Sequence, residues 1–242
     1  MDFKILLGDD GGGRTYLEWL MQAWGWTLAV AVSAWLVAML VGTLVGTLRT
    51  LPEQAGKTPL VAKLANAWVE LFRNIPVLVQ VFLWYFVVPK MFPAFKSIPS
   101  FILIALALGF FTSARIAEQV RAGIQSLPKG QRYAAMAVGF TTFETYRFVI
   151  LPMAFRIILP PLTSESMNLL KNSSVAFAVS IAELTMYAMQ VGEETSKPVE
   201  IYLVVTLLYA LSAFAVNRAM AYVERRIQVP GFVAAGNVGG GH

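Results

Sequence analysis

Four polar side chains recur at helical spacing within an apolar stretch late in the sequence. At positions i, i+4, i+7 and i+8 they are Ser164, Asn168, Lys171 and Asn172. This spacing places all four on one helical face, and ionisable groups at membrane depth usually face a bundle interior or a water-filled path. Lys171 would attract an anionic carboxylate there. The alternative is that the asparagines join neighbouring helices, while Lys171 pairs with a carboxylate or extends to the interface.

Two arginines are further candidates for contact with a substrate. Arg115 follows a long uncharged run and would lie at the inner end of a span, where it could contact an acidic side chain in transit. Its spacing from Glu118 equally allows an i, i+3 ion pair, and a position at the membrane interface is also open. Arg73, next to Asn74, is the other candidate, and the alternative for it is to anchor a helix at the lipid headgroups.

The sequence lacks the residue sets that catalysis or metal binding would need. There is no cysteine, and the one histidine is His242 at the very end. Residues 8–15 nearly fit a phosphate-binding loop, but Arg14 stands where that loop needs lysine, and two aspartates would repel phosphate. We therefore expect a flexible terminus there, and no active site, metal or bound cofactor in this chain. The energy for work against a gradient would come from another chain.

The composition indicates a membrane protein. Of the 242 residues, 57% are hydrophobic and 14% are charged, whereas ordinary globular domains carry about 25% charged residues. The net charge of +5 would suit nucleic acid if the protein were soluble. However, no basic cluster with interleaved aromatic residues appears, and basic residues of membrane proteins collect in cytoplasmic loops. We expect the lipid bilayer as a partner and no nucleic acid.

Five apolar segments are long enough to cross a bilayer as helices, which takes about 20 residues. They cover about 25–48, 65–89, 99–121, 151–182 and 201–217. Pro76 would bend the second segment or mark its effective start. Pro160 and Pro161 would interrupt the fourth segment, or else only bend it. Gly42 and Gly46 would let another helix approach the first. The predicted fold class is therefore an all-α membrane protein with about five transmembrane helices.

The segments between and beside the spans complete this organisation. They are an N-terminal segment 1–23, a membrane domain 24–226, a polar loop 125–150, an acidic loop 183–200 and a disordered tail 227–242. With the N-terminus outside, the basic residues on the inner side are Arg49, Lys57, Arg121, Lys129, Arg132, Arg147, Arg218, Arg225 and Arg226. Those on the outer side are Lys4, Arg14, Lys90, Lys96 and Lys197. Because cytoplasmic loops carry the excess of Lys and Arg, the N-terminus is predicted to lie outside and the C-terminus inside.

The polar loop resembles that of the membrane subunits of ATP-binding-cassette importers. Ala134, Ala135 and Gly139 match their EAA motif, residues 150–152 match its Ile-Leu-Pro end, and Tyr133 replaces its glutamate. The resemblance covers nearly the whole chain from residue 26 onward. Segments 70–86, 118–131, 156–165 and 168–174 resemble, in the same order, the importers of polar amino acids. The run QRYAAMAVGF together with Arg115 resembles the glutamate/aspartate branch.

This resemblance implies a type I importer fold with a cytoplasmic coupling helix at about 129–143. The residues that would contact the ATPase are Lys129, Gly130, Tyr133, Ala134, Ala135, Gly139 and Phe140. The implied partners are a dimer of cytoplasmic ATPases that hold ATP and magnesium, a second permease subunit, identical or homologous, and a periplasmic amino-acid-binding protein. The chain would then be a permease of the bacterial inner membrane with a periplasmic N-terminus.

Other functions are compatible with parts of this pattern. A permease of the same class could carry glutamine or a basic amino acid. A self-sufficient secondary transporter or channel is a different class, but such folds often contain inverted repeats, and the two halves of this sequence show no self-similarity. A membrane-bound enzyme would need a catalytic set, which the sequence lacks.

Overall fold

The computed structural model describes residues 3–9, 11–52 and 57–227, and within these ranges the chain forms helices without a named β-strand. In chain order the main helices are α1 Tyr16–Leu48, α2 Leu60–Asn74, α3 Val77–Met91, α4 Ser100–Gln125, α5 Lys129–Ala137, α6 Thr142–Val179, α7 Leu184–Glu194 and α8 Pro198–Ile227. The predicted disordered tail, apart from Ile227 at the end of α8, lies outside the described residues.

The predicted all-α membrane fold is confirmed. By length and composition α1, α4, α6 and α8 can each cross a membrane, and α2 with α3 forms a fifth span if the bent pair counts as one. The helices reach beyond the predicted apolar segments, because α4 continues to Gln125 and α6 already begins at Thr142. Apolar runs mark the membrane core of a helix, whereas its ends are set by caps and turns.

The start of α1 shows how a cap sets a helix end. The Thr15 hydroxyl accepts a hydrogen bond from the Glu18 N–H at 3.2 Å, and the Glu18 carboxylate accepts one from the Thr15 N–H at 2.8 Å. This capping box starts the helix well before the predicted residue 25. Before it, the Asp9 carboxylate accepts hydrogen bonds from Gly11 and Gly13 N–H at 2.9 and 3.0 Å, which forms a turn where a flexible terminus was predicted.

The predicted bend at Pro76 is confirmed and is sharp, because α2 and α3 differ in direction by 107°. Proline has no N–H to donate and disfavours the helical conformation in the residue before it, so Ile75 is extended. The side-chain amide of Gln80 then donates hydrogen bonds to the carbonyls of Phe72 at 2.8 Å and Ile75 at 3.0 Å. The buried Gln80 thus satisfies carbonyl groups that the break would leave without a partner.

The predicted interruption of the fourth span at Pro160 and Pro161 is wrong, because α6 continues through both residues. Both prolines are exposed, and each leaves one carbonyl of the preceding turn without its helical N–H donor, yet the helix is not broken there. The irregular turns of α6 lie at its two ends instead. A π turn spans Thr145–Ile150, and the last turns tighten into a 3₁₀ helix over Ser173–Val179.

The predicted acidic loop 183–200 is also wrong, because most of it forms α7. The carboxylate of the fully buried Glu183 accepts hydrogen bonds from the N–H groups of Thr185 and Met186 at 2.9 and 3.0 Å, which caps the helix. The Tyr209 hydroxyl donates a third hydrogen bond to it at 2.8 Å. Burial nevertheless raises the pKa of Glu183 above its ordinary value. This residue therefore fixes α7 against α8.

Close contact between α1 and α4 positions the polar residues described below. A Cβ atom added at Gly42 would lie 2.7 Å from the Ile116 Cβ, and one added at Gly46 would lie 2.7 Å from the Val120 Cβ. Such distances leave no room for a side chain, so the predicted close approach at these two glycines is confirmed. The same close approach occurs with the glycine on α4, because a Cβ added at Gly109 would lie 2.7 Å from the Val37 Cβ of α1.

Candidate functional site

Arg115 of α4 forms an ion pair with a carboxylate on α6. Its Nε lies 2.9 Å from the Glu165 Oε2 and 3.1 Å from Oε1. The Glu165 side chain is only 8% exposed, whereas the Arg115 side chain is 43% exposed. The predicted alternative, a pair between Arg115 and Glu118, is therefore wrong. Close packing of the two helices, with Gly123 against Ile158, brings α6 nearer to Arg115 than Glu118 is.

Glu118 instead joins three arginines from three helix ends. Its carboxylate lies 3.0 Å from Arg49, at the end of α1, and 3.0 Å from Arg121 of α4. Arg73 of α2 is the outermost of the three, at 3.8 Å and with 57% of its side chain exposed. Arg49 also donates a hydrogen bond to Asn66 of α2 at 2.6 Å. The cluster ties α1 and α2 to α4.

The polar face of α6 is open along most of its length. Ser164 and Lys171 are exposed, and Asn168 and Asn172 are half-buried. Among the described residues no carboxylate lies within ion-pair distance of Lys171, so the predicted alternative of a carboxylate partner within the chain is not observed. Lys171 lies six residues beyond Glu165, or about 9 Å along the helix. An exposed ammonium at this depth calls for water, a ligand or another chain.

Together these side chains give one side of the helix bundle an excess of positive charge. The cations are Arg49, Arg73, Arg115, Arg121 and Lys171, and the two carboxylates are Glu118 and Glu165. A region with three more cations than carboxylates attracts anions. Arg73, Arg115 and Lys171 are exposed, whereas Arg49 and Arg121 are half-buried.

The polar loop forms a short helix that ends in a fixed turn. The helix α5 covers Lys129–Ala137, so the predicted helix over 129–143 is too long. Gly139 ends it with φ +95°, a left-handed conformation that glycine adopts without strain. The N–H of Gly139 bonds to the Met136 carbonyl at 3.0 Å, and the N–H of Phe140 bonds to the Ala135 carbonyl at 3.1 Å. These two bonds form a Schellman motif, which stops α5 and redirects the chain into α6.

One face of this loop is anchored and the other is exposed and apolar. Ala135 is buried, while Tyr133, Val138 and Phe140 are 66%, 76% and 38% exposed. Of the remaining predicted contact residues, Lys129, Gly130, Ala134 and Gly139 are exposed. Contiguous apolar surface of this kind marks a site for another protein or for the membrane.

The loop is held firmly to the rest of the chain. The Tyr146 hydroxyl donates a hydrogen bond to the Thr50 carbonyl at 2.5 Å, just after the end of α1. Tyr146 also packs in a buried cluster with Leu127, Ile150 and Ala154. A movement of α5 would therefore be passed directly to α1 and α6.

The sequence analysis did not identify Glu165 as a site residue, nor Glu118 as the carboxylate that joins three arginines. A glutamate within an apolar span is itself a signal, because ionisable groups are rare at membrane depth and usually paired. That signal could have identified Glu165 as a functional residue. It could not have given its partner, because Arg115 lies 50 residues away in the chain.

Comparison with known proteins yields a consistent set of relatives. Residues 38–229 match the family model described as binding-protein-dependent transport system inner membrane component. The chain is 41% identical over 239 residues to the glutamate/aspartate import permease protein GltJ of Escherichia coli (strain K12), covering 95% of this chain and 93% of that protein. It is 38% identical over 165 residues to the probable glutamine ABC transporter permease protein GlnM of Bacillus subtilis (strain 168), covering 68% and 75%.

A solved structure supports the same fold. The crystal structure of an amino acid ABC transporter with histidines matches with a TM-score of 0.73 and 28% sequence identity. The match covers 87% of this chain and 95% of the other. The transmembrane fold is thus shared over nearly the whole of that chain.

Proposed function

This chain belongs to the family of binding-protein-dependent transport system inner membrane components, and on that premise we propose that it forms half of an importer's path for glutamate and aspartate. It is a transmembrane subunit of an ATP-binding-cassette importer. The observation that supports an acidic substrate is the exposed positive charge of Arg115 and Lys171 on two candidate membrane spans, α4 and α6. The 41% identity to GltJ agrees with it.

The charges of an acidic amino acid match those of the site. Its ammonium and α-carboxylate need one anion and one cation, which Glu165 and Arg115 supply. Its side-chain carboxylate needs a second cation, and Lys171 offers one that is exposed and without an ion-pair partner among the described residues. In this proposal Ser164, Asn168 and Asn172 complete the polar wall, and Arg73 attracts the anion towards the site.

The partners follow from the surfaces that the chain leaves open. The exposed apolar face of α5 docks on a cytoplasmic ATPase dimer, which holds ATP and magnesium. Tyr133 supplies apolar contact there in place of the glutamate of the EAA motif. A second permease subunit covers the polar face of α6 and closes the path. A periplasmic amino-acid-binding protein delivers the substrate to the outer end.

Glutamine is the second candidate substrate, and the 38% identity to GlnM favours it. Its neutral side chain would leave Lys171 without an ionic partner in the path. A basic amino acid fits less well, because the excess of cations would repel it.

The test is ATP hydrolysis by the complete complex in liposomes, with the binding protein loaded with one amino acid at a time. We expect glutamate and aspartate to stimulate hydrolysis well above the basal rate, and glutamine and lysine to have little effect. Stimulation by glutamine alone would contradict the acidic substrate while leaving the importer intact. Concentrative uptake of amino acid by the chain without the ATPase would overturn the importer itself.

A further inference from the structure

An apolar groove of about 930 Å³ runs along α1 and the first turns of α6, away from the polar face described above. Its walls include Met39, Thr43 and Thr47 of α1, and Phe143, Tyr146 and Arg147 of α6. We propose that this groove binds an acyl chain of an anionic phospholipid whose phosphate group contacts Arg147. The site is separate from the substrate path and does not depend on which amino acid is carried.

The length of the groove fits one leaflet of a bilayer. Its α1 wall is a single helical face, which extends from Met39 to Leu48. These residues span about 13.5 Å along the helix axis at 1.5 Å per residue. The hydrocarbon core of a bilayer is about 30 Å thick, so the groove has the depth of about one half of it.

The wall offers a ligand apolar surface and one cation. The Thr47 hydroxyl donates its hydrogen bond to the Thr43 carbonyl at 2.7 Å, and the Tyr146 hydroxyl donates to the Thr50 carbonyl at 2.5 Å. These hydroxyl hydrogens are therefore used within the chain. Arg147 is the one basic or acidic residue among the lining residues. A water-soluble ligand would find few partners here, whereas a hydrocarbon chain with an anionic head fits both features.

Arg147 lies at the end of the groove where a headgroup would be. The bond from Tyr146 to Thr50 fixes this part of α6 beside the end of α1, where the apolar span of α1 ends. The Arg147 guanidinium lies 5.5 Å from the centre of the Phe148 ring, and the described residues place no carboxylate within ion-pair distance of it. Arginine binds phosphate through paired N–H groups, so Arg147 can hold the headgroup directly.

The neighbouring surface has the same sign of charge. A second cavity of about 310 Å³ shares Leu51 and Tyr146 with the groove and is lined by Arg49, Lys129 and Arg132. Basic residues near a membrane surface attract anionic lipids, and Lys129 and Arg132 have no ion-pair partner among the described residues. The groove thus opens next to a basic area, and this charge complementarity selects an anionic phospholipid over a neutral one.

The test measures how much lipid the complete complex keeps after purification from a bilayer. The complex is reconstituted with equal amounts of phosphatidylglycerol and phosphatidylethanolamine, extracted in mild detergent, and its bound lipid is measured by quantitative mass spectrometry. We expect wild type to be enriched in phosphatidylglycerol several-fold. Arg147→Gln should lose this enrichment, and Thr43→Phe, which fills the groove, should lower the retention of both lipids.

Arg218→Gln is the matched control, because the Arg218 guanidinium also lies over an aromatic ring, that of Phe214 at 5.2 Å, but outside the groove. This variant should keep the enrichment. Equal enrichment in Arg147→Gln and Arg218→Gln would overturn the proposal.

A second measurement tests the competing occupant, another copy of the chain. The native sequence has no cysteine, so Leu44→Cys places a single thiol in the groove. Oxidation should leave this variant monomeric on a denaturing gel. A cross-linked dimer would show that protein, and not lipid, fills the groove.

Discussion

The ion pair between Arg115 and Glu165 combines two requirements of a transport path. The buried carboxylate needs a cation, because an unpaired charge at this depth is costly. The half-exposed guanidinium keeps surface for a ligand. The ammonium of an amino-acid substrate can pair with Glu165, and its carboxylate can pair with Arg115. Neither side chain is then left as an isolated charge when the ion pair between them is broken.

Lys171→Gln tests whether the second cation selects the acidic side chain. It removes the charge that an acidic substrate needs and a neutral one does not. We expect the preference for glutamate over glutamine in uptake by proteoliposomes to fall about tenfold, which corresponds to about 1.4 kcal/mol. The measurement is uptake of the two labelled amino acids by the complete complex.

Two variants are controls for this change. Lys171→Arg keeps the charge and should keep most of the preference. Lys90→Gln removes an exposed cation at the end of α3 and should leave uptake unchanged. An unchanged preference in Lys171→Gln would assign Lys171 to contacts with the partner subunit.

At the scale of elements, the turn after α5 determines how the exposed apolar face of that helix is held. The Schellman motif at Gly139 needs a left-handed residue, and the bond from Tyr146 to Thr50 ties the following turn of α6 to α1. The exposed apolar face of α5 therefore belongs to a rigid unit, which can pass a displacement to the membrane helices.

Gly139→Asp tests this connection, because an L side chain at φ +95° is strained by about 1–2 kcal/mol. We expect the stimulation of ATP hydrolysis by the loaded binding protein to be largely lost, while the basal rate of the ATPase is kept.

Gln131→Asp is the matched control. Gln131 lies in the first turn of the same helix and is not one of the predicted contact residues. An aspartate in this turn is compatible with the helix dipole, so stimulation should stay closer to wild type. Full stimulation of Gly139→Asp would show that this turn does not couple the two subunits.

At the scale of the whole molecule, the chain leaves two different surfaces open. One is polar and positively charged, along α6 beside Arg115, and the other is apolar, along α1, α3 and α8. Lipid can cover the apolar surface but not exposed charge, so the polar face requires water or a second subunit. This is the face on which the second permease subunit proposed above would lie.

The orientation of the chain gives a prediction at this scale. The excess of Lys and Arg predicts that the C-terminal end of α8 lies inside and the N-terminus outside. With no native cysteine, Leu7→Cys and Tyr222→Cys each give one exposed thiol. In spheroplasts a membrane-impermeant maleimide should label Leu7→Cys and should label Tyr222→Cys only after the membrane is opened. The reverse pattern would invert the predicted topology.

The sequence alone determined the features that depend on short stretches of chain. The number of spans follows from apolar length, the break at Pro76 from the missing N–H, and the close approach at Gly42 and Gly46 from the missing side chains. The left-handed turn at Gly139 has the same kind of local cause. The capping box at Thr15 was equally local, and attention to it would have given the true start of α1.

Only the tertiary structure decided which charges meet. Local spacing favoured Arg115 with Glu118, yet packing of α4 against α6 pairs Arg115 with Glu165, and Glu118 instead joins arginines from α1, α2 and α4. Such outcomes depend on distances between helices far apart in the chain, which a sequence pattern of a few residues does not contain.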